Sequence, residues 1–245
     1  MKSPAIPGLV CMCILIVTAY SGCLSSTTQP GDIPDQTVVE NMTEPPPADQ
    51  LPDETIQPSV EIEATQYQGI NLSPISQQRI TAIFGPQDID IETYQLQIDG
   101  LVERPMNFTY DQVIAYPSTS KVVTLTCVEG WYFTAKWTGI PLGTLLNVTG
   151  IKENATAVTF YAVDGYSTSL DLDYLLDNDI MLAYRINDVT LSRERGFPFQ
   201  LVSEGKWGYK WPKWITRIEL RETSKKGYWE IRGYSDEANI GGRRR

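Results

Sequence analysis

Cys127 is the one cysteine outside the first 23 residues, and it stands in the segment Thr124-Leu-Thr-Cys-Val-Glu-Gly-Trp131. A cysteine alone in the folded part cannot form an internal disulfide, so its thiol either packs as a buried apolar group or does chemistry. The chain contains no histidine, which excludes Ser-His-Asp and Cys-His catalysis and nearly all common zinc sites. The chemistry that best suits a lone thiolate is ligation of a soft metal centre.

Basic residues form a second group with chemical potential. Lys206, Lys210 and Lys213 lie among glycines and a proline in the segment 205–214, and Arg195 precedes a Gly-Phe-Pro turn. Lysine, arginine and backbone N–H groups hold phosphates and related anions. A solvated basic face is the alternative interpretation.

These segments, taken together with others in the same order, resemble the molybdopterin-binding domain of the sulfite oxidase family, which includes the catalytic subunits of protein-methionine-sulfoxide reductases. The resemblance covers approximately Ile70 to Tyr234. The segments that carry it are Thr124-Leu-Thr-Cys-Val-Glu-Gly-Trp131, Lys136-Trp-Thr-Gly-Ile-Pro-Leu142, Leu182-Ala-Tyr-Arg185, Arg195-Gly-Phe-Pro-Phe-Gln-Leu-Val202, Gly205-Lys-Trp-Gly-Tyr-Lys-Trp-Pro-Lys-Trp214 and Gly227-Tyr-Trp-Glu-Ile-Arg-Gly-Tyr234.

The resemblance implies a molybdopterin cofactor with one molybdenum per chain, in which Cys127 is the only protein ligand to the metal. The remaining ligands come from the pterin dithiolene and from oxygens. The implied cofactor-binding residues are Cys127, Arg195, Lys210, Lys213, Asp164 and Asn71. Gln200 stands where the family commonly has arginine, so one anion contact is neutral in this chain.

The resemblance also indicates three substrate-side residues, Glu129, Tyr166 and Arg79. Glu129 lies near molybdenum in the reductase branch, whereas Tyr166 and Arg79 match the substrate positions of sulfite oxidases. Reduction of a neutral sulfoxide needs a proton donor, and a carboxylic acid whose pKa is raised by burial can act as one. We therefore expect Glu129 to be that acid and the reaction to be reduction of a sulfoxide or similar small oxo-acceptor. Electrons would be exchanged with a separate membrane or soluble partner.

Two alternatives remain open from the sequence. One is oxidation of sulfite by the same domain. The other is a cofactor-free binding lipoprotein with the same fold. This second alternative arises because residues 1–22 contain no arginine, whereas such enzymes are usually exported folded by a twin-arginine route.

The elements that must position these residues are mostly short strands. Alternating or continuous apolar runs predict strands at 94–98, 122–127, 157–163, 180–186, 199–202 and 214–220, and short helices are predicted at 110–115 and 141–146. Strands without regularly alternating long helices indicate a single α+β domain, which we place at residues 67–234.

The flanking segments predict export and tethering. Residues 1–22 combine Lys2, an apolar run from Leu9 to Val17 and small residues before Cys23, which resembles a prokaryotic lipoprotein signal with lipidation at Cys23. A retained membrane anchor is the alternative. Residues 23–66 are acidic and proline-rich, so we expect a disordered tether, and residues 235–245 a flexible tail.

We therefore expect an extracytoplasmic domain anchored by lipid to a prokaryotic cell membrane. From residue 67 onward, 21 acidic residues nearly balance 19 basic ones, so the acidity belongs to the tether. No cluster of basic residues indicates nucleic-acid binding, and we expect a monomer.

Overall fold

The computed structural model describes residues 60–241 and shows a strand-rich α+β architecture with twelve strands and three short helices in that range. The helices are α1 (Tyr110–Ile114), α2 (Leu142–Thr149) and α3 (Leu172–Asp177). The strands in chain order are β1 (Gln66–Tyr67), β2 (Ile70–Asn71), β3 (Leu96–Gly100), β4 (Met106–Phe108), β5 (Thr119–Thr126), β6 (Tyr132–Pro141), β7 (Ala157–Ala162), β8 (Ser167–Asp171), β9 (Met181–Ile186), β10 (Val189–Thr190), β11 (Gln200–Val202) and β12 (Ile215–Arg221).

Two five-stranded sheets organise the fold. In the first, β5 pairs with β6 and β6 with β9, while β10 and β11 both pair with β9. All of these pairings are antiparallel. The second sheet has the order β4-β3-β12-β7-β8, and its one parallel pairing joins β12 to β3. Strands β1 and β2 form a separate small hairpin.

The predicted α+β class is confirmed, and so are most of the predicted elements. Each of the six predicted strands and both helices overlaps an observed element, with ends displaced by up to three residues. Helix α3 and six strands, β1, β2, β4, β6, β8 and β10, were not predicted. Strand β6 does alternate, since Phe133, Ala135 and Trp137 are buried and Thr134 and Lys136 lie between them, so the sequence could have signalled it.

Two clusters of buried side chains form the core. The larger contains residues from α1 to α3 and from the second sheet, such as Phe108, Leu145 and Phe160. The smaller lies on the first sheet and includes Trp137 and Trp211. Each fully buried side chain of this size contributes about 1.5–3 kcal/mol through removal of apolar surface from water.

Contacts with the fold extend beyond the predicted domain limits of 67 and 234. The Glu61 carboxylate pairs with Arg185 at 2.8 Å, and Glu63 accepts a hydrogen bond from the backbone of Ile75 at 2.6 Å. At the other end, the carbonyl of Ala238 accepts from the backbone of Trp207. Part of the predicted tether and part of the predicted tail therefore pack on the domain.

The predicted export signal, the lipidation site and most of the tether lie outside the described residues. Between residues 60 and 241, no helix is both long and apolar enough to cross a membrane.

Strands β6 and β9 approach each other most closely at Gly139, where the strand register shifts. A Cβ added at Gly139 would lie 2.1 Å from the carbonyl oxygen of Leu182. We predict that Gly139→Ala lowers the free energy of unfolding by about 2–3 kcal/mol, measured by urea denaturation, because the strands must separate to admit the methyl group. Gly143→Ala in α2 is the control, since its added Cβ meets only the flexible end of Leu176 and alanine favours the helix by roughly 0.5–1 kcal/mol. Equal effects of the two substitutions would contradict this explanation.

Candidate active site

Cys127 lies at the tip of the β5–β6 hairpin. Its backbone N–H donates to the carbonyl of Trp131 at 2.9 Å, and its carbonyl accepts from the N–H of Gly130 at 3.0 Å. Gly130 has a backbone φ of +91°, which residues other than glycine rarely adopt. This tight turn ends the strand directly after Thr126 and fixes the direction of the Cys127 side chain.

The Cys127 thiol opens into a cavity where six segments meet. These are the hairpin tip, the turn between β7 and β8, the segment 195–200, the loop 205–214, the segment 79–83 and the C-terminal segment 229–234. Seven of the nine predicted site residues line the cavity. They are Arg79, Cys127, Glu129, Asp164, Tyr166, Arg195 and Lys213. The tertiary structure thus brings together residues that are up to 134 positions apart in the chain, from Arg79 to Lys213.

Opposite charges act on the Cys127 thiol. Burial raises the pKa of this thiol; the backbone hydrogen bonds of Glu129 and Val128 lower it. The carboxylate of Glu129 raises this pKa and the guanidinium of Arg79 lowers it. The thiol therefore carries its proton in the absence of a metal and must release it when a metal binds.

Trp131 connects the two charged residues. Its indole N–H donates to Glu129 Oε2 at 2.9 Å, and the guanidinium carbon of Arg79 lies 5.7 Å from the centroid of its ring. The ring also stacks on Phe133 at a centroid distance of 6.3 Å. Glu129 itself is exposed, so the expectation that it is a buried acid is not met.

Arg195 and Lys213 are cations without carboxylate partners. Among the described residues, neither makes a salt bridge within 4.0 Å. Arg195 is 7% exposed and donates to the Gln78 side chain at 2.7 Å and to the Ile75 carbonyl at 2.6 Å. Lys213 donates to the carbonyls of Thr81 and Glu194. Two positive charges beside one cavity, held only by neutral acceptors, form a site suited to an anion.

Tyr166 and Asp164 are placed by the turn between β7 and β8. Asp164 accepts a hydrogen bond from the backbone of Tyr166, and the Tyr166 hydroxyl donates to the carbonyl of Tyr209 at 2.5 Å. Burial raises the pKa of Tyr166 far above its usual value, and the nearby Glu230 carboxylate adds to the effect. The hydroxyl thus remains protonated, and its proton is donated to the Tyr209 carbonyl.

Lys210 and Asn71 are the two predicted residues that do not line the cavity. Lys210 is 1% exposed, and its ammonium pairs with Glu230. Asn71 lies at the exposed end of β2 and accepts from Gln66. The structure gives both side chains other partners and no contact with the cavity.

The arrangement of a thiol and unpaired cations agrees with the result of comparison with known proteins. The family model for the oxidoreductase molybdopterin binding domain matches residues 84–229. The chain belongs to this family. The resemblance inferred from the motifs is therefore confirmed, and the class of the protein is molybdopterin-binding oxidoreductase.

Relatives within the family differ in the reactions that their names describe. The putative protein-methionine-sulfoxide reductase subunit YedZ1 of Azospira oryzae is 34% identical over 61% of this chain and 57% of that protein. Mitochondrial sulfite oxidase of Drosophila melanogaster is 29% identical over 60% of this chain and 30% of that protein. The crystal structure of the sulfane dehydrogenase SoxCD from Paracoccus pantotrophus has a TM-score of 0.57 and 25% identity, covering 62% of this chain and 43% of that one. The matched region is thus between 30% and 57% of the length of these relatives.

The residues around the cavity fit a molybdenum-pterin group. The Cys127 thiol can ligate the metal, and Arg195 and Lys213 can hold the anionic end of the pterin. Among the described residues there is no cluster of three or more carboxylate, cysteine or histidine ligands. Gln200, which is 5% exposed, lines the same cavity as a neutral contact.

Two kinds of site residue were missed from the sequence. Trp131 is not among the predicted site residues, but it lines the cavity and holds Glu129. Its spacing of two residues from Glu129 in a turn could have signalled this. Gln78 was not singled out, yet it is buried and binds Arg195. No local pattern marks Gln78, because its partner is 117 positions away.

The charge of Lys213 gives a test of the anion site. Burial lowers the pKa of Lys213 to about 8, with Arg195 adding to the effect and Asp164 opposing it. An anion binds the charged form of the Lys213 ammonium more tightly than the neutral amine. The affinity of the site for an anion must therefore fall as the pH rises above this pKa. We predict that cofactor-free protein binds pyrophosphate about tenfold more weakly at pH 9 than at pH 7, as measured by calorimetry. Lys213→Met should bind more weakly at pH 7 and lose the pH dependence; a wild-type affinity independent of pH would count against the site.

Proposed function

We propose that this protein is a membrane-tethered, extracytoplasmic molybdenum enzyme that reduces a sulfoxide or a similar small oxo-acceptor. One molybdenum per chain is held by Cys127, and a separate redox partner supplies the electrons. Family membership supports the cofactor and the oxidoreductase class. The substrate and direction rest on the charges of the site, and the tether and location rest on the N-terminal sequence.

The observation that carries the direction is the pairing of charges beside Cys127. Arg79 and Glu129 both contact Trp131 beside the thiol, so a cation and a carboxylate lie together at the place where a substrate would bind. A neutral sulfoxide suits such a site. A sulfite dianion requires a surplus of cations to replace its hydration, and Gln200 supplies a neutral amide where a further cation is common in the family.

The reaction consumes two electrons and two protons and converts a sulfoxide to a thioether and water. When bound, the cofactor supplies the oxygen-atom transfer and the two-electron redox change. The side chains of this chain bind the substrate, orient it and move protons. Arg79 is placed to donate hydrogen bonds to a sulfoxide oxygen, while the π faces of Trp131 and Trp229 line the cavity around the substituents on sulfur.

Glu129 provides a route for protons. Its carboxyl group lines both the cavity and an adjoining open groove that also includes Tyr209 and Tyr234. Because Glu129 is exposed, it exchanges protons directly with bulk water, and the hydrogen bond from Trp131 holds the carboxyl at the cavity rim. The groove also gives room for a substrate larger than a free sulfoxide, such as the protein-bound methionine sulfoxide named for the Azospira relative.

Sulfite oxidation is the second candidate function. Arg79 and Tyr166, which the resemblance associates with sulfite binding, line the same cavity. In this structure, however, the Tyr166 hydroxyl is bound to the Tyr209 carbonyl, and Arg79 lies on Trp131.

We predict that Glu129→Gln lowers kcat for methionine sulfoxide or dimethyl sulfoxide by about tenfold to a hundredfold, with a smaller change in KM, because the amide cannot deliver a proton. A reduced-dye assay measures both constants. Glu153→Gln, an exposed glutamate away from the cavity, is the matched control. Efficient sulfite oxidation that depends on Arg79 and Tyr166, with negligible sulfoxide turnover, would assign the chain to the second candidate function.

We also predict that Cys127→Ser reduces bound molybdenum from about one per chain to near zero while the circular dichroism spectrum remains that of a folded domain. A hydroxyl is a much poorer ligand than a thiolate for this centre. Metal analysis of protein purified from its native membrane gives the reference value. Native protein without molybdenum or pterin would instead favour a cofactor-free binding role.

A further inference from the structure

We propose that Lys210 and Glu230 are positioning residues whose buried ion pair holds together three walls of the cavity. This assigns Lys210 a role different from the cofactor contact expected from the sequence. The inference concerns the same site as the proposed function and depends on it only where turnover is measured.

The pair is closed off from water. The exposed fractions of Lys210 and Glu230 are 1% and 2%, and Lys210 Nζ lies 2.5 Å from Glu230 Oε1. Lys210 Nζ also donates to the carbonyl of Ser169 at 2.8 Å, and the hydroxyl of Thr168 donates to the same Glu230 oxygen at 2.5 Å. One cluster of four residues therefore joins the loop 205–214, strand β8 and the C-terminal segment.

Each of these three segments carries aromatic residues of the cavity wall. Tyr209 precedes Lys210 in the loop, Tyr166 directly precedes β8, and Trp229 adjoins Glu230. The walls also touch one another, since the Tyr166 hydroxyl donates to the Tyr209 carbonyl and Tyr209 packs on Tyr234 with a centroid distance of 5.2 Å. A shift of Lys210 or Glu230 would therefore move several of these rings.

The C-terminal segment lies close against β8 at Gly227. A Cβ at Gly227 would lie 2.0 Å from the carbonyl of Ser167, and the N–H of Tyr228 donates to that carbonyl at 2.9 Å. Further along the segment, Glu230 adds a buried, charge-assisted contact to β8 and to the loop, beside the hydrogen bond from the Tyr209 hydroxyl to the Ser235 carbonyl.

Stability alone does not account for such a pair. Apolar residues of similar volume often replace a buried ion pair with no loss of stability, because the pair must give up its hydration. Glu230 Oε2 is buried and has no hydrogen-bond partner, which adds to the cost. The ion pair and its hydrogen bonds are directional, so they fix the positions of the three segments relative to one another. An apolar pair would not do this.

The decisive experiment separates the effect of the ion pair on the stability of the fold from its effect on the positions of the cavity walls. Lys210→Met alone should lower the midpoint of thermal unfolding by about 10 °C, because it leaves a buried charge unpaired. The double variant Lys210→Met/Glu230→Leu should recover most of that loss. We expect it still to differ from wild type in its near-ultraviolet circular dichroism, to retain less molybdenum per chain, and to have at least tenfold lower kcat/KM for the sulfoxide.

Two controls complete the test. Glu230→Gln keeps an acceptor for Lys210 and Thr168 but leaves the buried ammonium without a counter-charge, so it should lose stability as Lys210→Met does. Measured well below its unfolding temperature, its near-ultraviolet spectrum should remain that of wild type and its kcat/KM should stay within about threefold. Lys136→Met/Asp188→Asn removes a partly exposed pair on the first sheet and should leave the spectrum and turnover unchanged.

The inference is wrong if the double variant regains stability together with the wild-type spectrum, molybdenum content and turnover. If the double variant does not fold, Glu230→Gln decides the matter, since a loss of turnover beyond tenfold with the protein fully folded and its near-ultraviolet spectrum unchanged would implicate charge instead of position. The spectrum is recorded on cofactor-free protein and needs no substrate. Absence of sulfoxide turnover in the wild type would therefore overturn the proposed function while leaving this test intact.

Discussion

The register of the β5–β6 ladder is the constraint on which the site depends. Eight residue pairs, from Thr119–Gly139 to Thr126–Tyr132, define it, and hydroxyl pairs such as Thr124 with Thr134 at 2.8 Å reinforce it on one face. On the other face Val123 and Leu125 are buried, and Cys127 continues that alternation into the turn. A slip of one residue would turn the thiol away from the cavity. Every other group at the site is placed relative to this hairpin.

Burial has opposite consequences for two lysines of one loop. Lys210 and Lys213 are three positions apart, but Lys210 meets a carboxylate in a sealed interior while Lys213 meets only backbone carbonyls at the cavity. The first contact leaves a neutral, closed unit that fixes geometry. The second leaves a positive charge that an anion can still satisfy. The loop thus has a structural side and a binding side.

The N-terminal segment is also connected to the site. Glu63 binds the backbone of Ile75 and the side chain of Asn187, and the carbonyl of Ile75 binds Arg195. Residues that precede the predicted domain therefore support the segment that holds one of the two unpaired cations. Through its contact with Ile75, Glu63 therefore helps to shape the anion site.

The sequence alone determined the α+β class and the family, because ordered motifs and periodic apolar residues are local properties of the chain, and it predicted Cys127 as the metal ligand. It also placed seven residues that the fold collects around one cavity. Only the tertiary structure decided that Lys210 pairs with Glu230, that Glu129 is exposed and that Gln78 holds Arg195. These outcomes depend on partners 20 and 117 positions away and on solvent access, which no local pattern of residues records.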